Sequence, residues 1–357
     1  MLYLVLYTLT WAIHRLLMAY VVAGSFWILA ERILHRNGGH LSPTGLRIKE
    51  WSPFFLGLTI TAGVAPVLFV QILYQKSFYS ANLLMFHRWM SMLPVLIVAF
   101  YLLYIQKTRW LAARPSVALL TAAGISLSFV FIAWTWTENH LLSVNPKAWV
   151  EMYASGHWYY RATETAPRLA FWLVSTAPAL CWFLLWQQTL DRADVRSDEL
   201  DPRQRTVALA SIVGANVFLL VTAFVMTPEA RAPLVRWSVA PWWTAYAVAQ
   251  LGAAHFWWHS TKVTSRLVAL IGGFLALDAV SVAALRETLR IGRSDFTAVL
   301  PRHAEASQVG GLIAFLVFLA LNTGLILYCV RLVRRVITQP RASAENASTE
   351  GAPQGHP

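Results

Sequence analysis

The chain has 357 residues, of which 57% are hydrophobic and 13% charged, and its formal net charge is +12. A soluble domain carries about 25% charged residues, so the composition excludes an ordinary soluble fold. The basic excess reads as the flanks of membrane helices rather than a nucleic-acid surface.

Nine apolar runs of bilayer-spanning length predict nine transmembrane helices, at 4–30, 53–74, 79–105, 116–137, 167–187, 206–226, 234–258, 263–285 and 309–330. Backbone polar groups in hydrocarbon need partners within their own segment, which makes such runs helices. Runs of this length also exclude a β-barrel, whose strands are short and alternating. The first run has no basic n-region and outlasts a signal-peptide core, so it is expected to stay as an anchor. Lys and Arg number seventeen on one side of this arrangement and ten on the other, which predicts an N-terminus outside and a C-terminus inside. The expected fold is an all-α integral membrane bundle over residues 1–337, in a bacterial inner membrane. A disordered cytoplasmic tail over 338–357 is expected from its Pro, Ala, Ser and Gly content.

The connection 138–166 holds Trp149, Tyr153, Trp158, Tyr159 and Tyr160 and reads as an aromatic segment along the outer surface. The six histidines assigned to loops or the tail (His35, His40, His140, His157, His303 and His356) are expected to face solvent. Cys181 and Cys329 fall inside helices and offer neither a disulfide framework nor metal-ligand spacing. Pro66, Pro94, Pro178 and Pro241 predict kinks. The sequence contains no nucleotide-binding loop, nucleophile elbow or CxxC, so no catalytic residue is assigned.

Ionisable groups inside a membrane are costly and mark functional candidates. His14 and Arg15 lie on helix 1, His87 and Arg88 on helix 3, and Asp278 on helix 8. At 1.5 Å per residue, His14 lies roughly 15 Å and His87 roughly 12 Å below the outer surface. Two imidazoles at matched depth suit a bis-His haem, with the neighbouring arginines as propionate partners. The alternative gives each histidine its own hydrogen-bonding neighbour. Asp278 is expected within salt-bridge reach of Arg15 or Arg88. His255 and His259 share a helix face, but no HExxH glutamate accompanies them, and they read as interfacial packing.

Helices 1, 2 and 4 carry a set of local strings. His14 precedes the apolar run 16–30. Helix 2 has Gly63-Val64-Ala65, then Gln71 and Ser77-Phe78-Tyr79-Ser80. Helix 4 has Gly124, Ser126-Leu127-Ser128, Trp134 and Asn145-Pro146. Over roughly the first 180 residues these strings resemble subunit I of the cytochrome bd quinol oxidases. The resemblance implies that His14 is a haem ligand, that haem b is a cofactor, and that the chain has partner subunits in a respiratory electron-transfer complex. The sequence departs from the family where helix 3 lacks an acidic pair, helix 5 a histidine and helix 7 a methionine. The quinol-binding loop before helix 7 is reduced to a short link. The expectation is therefore a bd-like membrane subunit holding at most one haem, rather than an autonomous quinol oxidase. A transporter using His14, Arg15, Arg88 and Asp278 as a polar path, or a haem-free anchor, are the alternatives.

Overall fold

The computed structural model describes residues 2–34, 41–190, 199–293, 301 and 311–338. Every regular element among them is helical, apart from one isolated β-bridge between Glu199 and Lys262. The long helices are α1 (Leu2–Leu34), α2 (Pro43–Leu73), α4 (Phe86–Ile105), α6 (Pro115–Ser143), α10 (Pro202–Val225), α12 (Ala240–His259), α13 (Ser265–Arg293) and α14 (Gly311–Thr338). Shorter helices are α3 (Gln75–Leu84), α5 (Arg109–Ala112), α7 (Ala148–Ser155), α8 (Thr165–Val174), α9 (Ala177–Leu190) and α11 (Pro228–Arg231).

Among the described residues, seven helices are long and apolar enough to cross a bilayer: α1, α2, α4, α6, α8 with α9, α10 and α13. These make the chain a multi-pass, all-α membrane protein. α12 stands where span 7 was expected but falls outside that set, and α14 stands where span 9 was expected. α12 carries no charge, yet Gln250, His255 and His259 lower its hydropathy, and two tryptophan pairs bound it, Trp242 with Trp243 and Trp257 with Trp258. The two tryptophan pairs lie about 22 Å apart along the helix, a spacing that suits aromatic belts at two interfaces. In α14 the sequence is uncharged from Gly311 to Val330, a run of bilayer-spanning length.

α1 is the axial helix. It packs against α2, α6, α9 and α13, and 56% of its apolar window is buried, against 11% for α4 and 22% for α10. The last two therefore sit at the rim, facing lipid. Tyr20 of α1 stacks on Phe55 at 3.9 Å and meets Phe183 edge-on, joining α1, α2 and α9 in one core.

Several boundaries differ from expectation, each for a local reason. α2 begins ten residues early because Ser42 caps it, accepting from the Gly45 amide, and Pro43 starts its first turn. Expected helix 3 is broken at Met85. The polar stretch before it forms the separate α3, while the amide bonds Met85 to Ala81 and Trp89 to Met85 carry the chain round the bend. Expected helix 5 is broken at Ser175 and Thr176, just ahead of Pro178, which cannot continue the donor ladder. Pro241 starts α12 rather than kinking it. α6 and α13 run six and eight residues past their expected ends and carry charged residues into the fold. The residues of the expected tail beyond Thr338 lie outside those described, as do His35, His40, His303 and His356.

Candidate functional site

Among the described residues, three groups of polar side chains bear on the candidate site. The first is in the bundle interior. Arg15 Nη1 lies 2.6 Å from Asp278 Oδ2, with both side chains under a tenth exposed. Asp278 Oδ1 accepts from Gln250 Nε2 at 2.7 Å. Gln250 Oε1 accepts from Asn216 at 3.3 Å, and Asn216 Oδ1 accepts from the Tyr246 hydroxyl at 3.1 Å. α1, α10, α12 and α13 are thus laced by one chain of bonds, with Trp172 under the Arg15 guanidinium. A cavity of about 10 Å³ adjoins it, lined by Ser175, Ser211, Gln250 and Asp278, beside the break between α8 and α9. That is room for about one water.

The second place surrounds Arg88. Asp278 is not its partner. Glu138, expected in an outer loop, lies in α6 and is buried, with Oε2 at 2.7 Å from Arg88 Nη1. Trp134 Nε1 donates to Glu138 Oε1 at 2.6 Å, and Arg88 Nε donates to Thr135 at 3.1 Å. Asp278 is therefore not the only acid within a spanning helix. Both arginines assigned to haem propionates are already matched by a carboxylate.

His14 and His87 are not brought together. His14 turns to α2, where its Nδ1 lies 3.0 Å from the Thr59 carbonyl oxygen. A carbonyl only accepts, so Nδ1 carries the proton and Nε2 keeps its lone pair. The imidazole occupies the space over Gly63, where a Cβ would come within 2.8 Å of the ring. His87 is exposed and sits one residue into α4, because the break at Met85 removes the turns that were expected above it. The bis-His pairing read from matched depth thus fails: broken helix 3 leaves His87 at its end, facing outward. His255 and His259 lie close together, their ring centroids 4.7 Å apart. Among the described residues no group of three or more His, Cys, Asp or Glu is placed to hold a metal ion.

The third place was missed. At the end of the bundle where α1 begins, Arg168 of α8 and Arg286, Arg290 and Arg293 of α13 gather with Glu164, Glu287, His140, Tyr7 and Tyr74. All but Arg293 are nine-tenths or more buried. Arg286 and Arg290 donate to the Tyr7 hydroxyl at 2.8 and 3.1 Å. Arg290 Nη2 donates to His140 Nδ1 at 2.8 Å. His140 is thus buried rather than solvent-facing, because α6 reaches Ser143. Tyr74 donates to Glu287, Arg168 pairs with Glu164, and Arg293 Nη1 lies 3.0 Å from the other Glu164 oxygen. Burial alone would raise the Glu164 carboxyl, but Arg168 and Arg293 outweigh it and hold the group below the usual carboxylate range. A signal for this cluster existed in the sequence: Arg286, Arg290 and Arg293 recur at i, i+4 and i+7, on one helix face.

Comparison of the chain with family models, curated proteins and solved structures finds no match.

Proposed function

We propose that the chain is a membrane subunit of a respiratory electron-transfer assembly, built on the plan of subunit I of the bd quinol oxidases, with His14 as its haem ligand. The observation that carries this reading is the Nδ1 contact of His14 with the Thr59 carbonyl. Ligating histidines usually hold their second ring N–H on such an acceptor, which fixes the tautomer and leaves the other nitrogen for the metal. His14 meets that requirement, and Gly63 gives its ring the space to do so. A bound haem supplies one-electron chemistry. The chain's own part is to orient the imidazole through Thr59 and to keep Arg15 and Arg88 neutralised by Asp278 and Glu138. The reading takes nine spans, with the N-terminus outside and partner subunits supplying donor and acceptor.

The test is the absorption spectrum of the purified protein. A Soret band with α-bands is expected. His14→Ala abolishes it, and His87→Ala leaves it unchanged because His87 stands at an exposed helix end. A b-type spectrum that survives His14→Ala rules this ligand out.

One observation favours a second reading, a proton or solute transporter. The Arg15–Asp278–Gln250–Asn216 chain adjoins a water-sized cavity beside a discontinuous helix, an arrangement that transporter sites share. Under that reading, ion flux in proteoliposomes disappears in Asp278→Asn while any haem spectrum persists.

A further inference from the structure

The cluster at the start of α1 is unbalanced. Arg168, Arg286, Arg290 and Arg293 bring four positive charges, and Glu164 and Glu287 bring two negative ones. His140 is a hydrogen-bond acceptor at Nδ1 and adds none. All four guanidinium groups lie close enough to His140 to act on it electrostatically. Excess buried charge of this kind is expensive unless it is paired.

The same groups have hydrogen-bonding capacity left over. Arg168 Nε, Arg286 Nη2, Arg290 Nε and Arg293 Nη2 are buried without a partner, and so is the Thr165 hydroxyl. Buried guanidinium nitrogens are rarely left unmatched in a folded protein. Here one such nitrogen occurs on each of four arginines, from two helices, around one histidine. Glu287 Oε2 is also unpaired, so the local carboxylates do not absorb the surplus donors.

From the charge excess and these unmatched donors we infer that the cluster is a binding site for an oxyanion of phosphate chemistry. A doubly charged anion cancels the excess. Donors spread over four guanidinium groups suit four tetrahedral oxygens better than the two oxygens of a carboxylate, and arginine is the side chain best matched to phosphate. The anion is either free phosphate or the phosphate of an anionic lipid headgroup. The inference is independent of the haem reading, since none of these residues touches His14.

The experiment uses the full chain in nanodiscs of zwitterionic lipid, titrated with inorganic phosphate by calorimetry, and a parallel sample in nanodiscs containing phosphatidic acid. Saturable binding and a rise in Tm with inorganic phosphate identify a free anion. A rise in Tm only with phosphatidic acid identifies the lipid headgroup. Arg286→Met weakens binding roughly ten- to a hundredfold, the weight of one hydrogen bond to a charged group. Glu287→Gln keeps an acceptor for Tyr74 but removes a negative charge, and so tightens binding several-fold. A misfolded variant would not bind more tightly, so this second variant decides the matter if Arg286→Met does not fold. Absence of any response to either anion source, or binding indifferent to both substitutions, overturns the inference.

Discussion

Gly63 and His14 show how much rests on single atoms in this bundle. The imidazole lies where a Cβ on residue 63 would stand, within 2.8 Å of the ring. Gly63→Ala is therefore expected to push His14 off the Thr59 carbonyl, and loss or broadening of any haem spectrum in that variant is the measurement. The Arg15–Asp278 pair makes a different demand. Asp278→Ala strands a buried guanidinium and should cost roughly 3–5 kcal/mol, read as a lower unfolding midpoint in detergent. The double variant Arg15→Met with Asp278→Ala should recover most of the loss, since it buries no unmatched charge. Glu164 adds a pH dependence. Its folded pKa lies below its unfolded value, so its contribution is present above the ordinary carboxylate range and is lost as pH falls through the folded value. Thermal unfolding followed towards acid pH should show that loss in the wild type and not in Glu164→Gln.

At the scale of elements, α12 and α13 approach closely at Gly252. A Cβ at Gly252 would come within 2.3 Å of the Phe274 ring. Gly252→Ala should force the two helices apart at a cost of about 1–3 kcal/mol, with Tm in detergent as the readout. Helix cores were legible from apolar runs because hydropathy reports the lipid-facing and buried faces alike. Helix ends were not. α13 continues through Arg286, Glu287, Arg290 and Arg293 because those side chains find partners in Tyr7 of α1, Tyr74 at the end of α2, His140 of α6 and Glu164 ahead of α8, and that is tertiary information. The break at Met85 was equally hidden, with neither Gly nor Pro to mark it. The depth estimate for His87 failed with it.

For the molecule as a whole, the correction at the helix ends sharpens the expected orientation. Of the ten basic residues counted in the outer loops, Arg168 lies on α8 and Arg286, Arg290 and Arg293 on α13, and all but Arg293 are almost wholly buried. Charges folded into the protein are not loop charges. The remaining bias favours an N-terminus outside more steeply than the raw count did. A periplasm-active reporter fused after Thr338 should be silent, and a cytoplasm-active one should report; the reverse pattern would place the C-terminus outside. The multi-pass helical class was visible in composition alone. The candidate site was visible only in part: the sequence indicated that Asp278 pairs with Arg15 or Arg88 without deciding between them, whereas Glu138 and His140 were assigned to a loop because α6 was ended too soon.

The tryptophan-bounded α12 bears on how the chain is made. Emerging from the ribosome, α12 offers the translocon a segment whose Gln250, His255 and His259 weaken partition into lipid. The next helix, α13, carries Asp278, which is costly in the same way. Gln250 hydrogen-bonds Asp278 at 2.7 Å, and only a short link, 260–264, separates the two helices. Each thus supplies the polar partner the other lacks, which favours their entry into the membrane together, as a hairpin. A nascent chain arrested before α13 is synthesised should leave α12 accessible to protease or to glycosylation at an engineered acceptor site, and lengthening the chain through Arg293 should protect it.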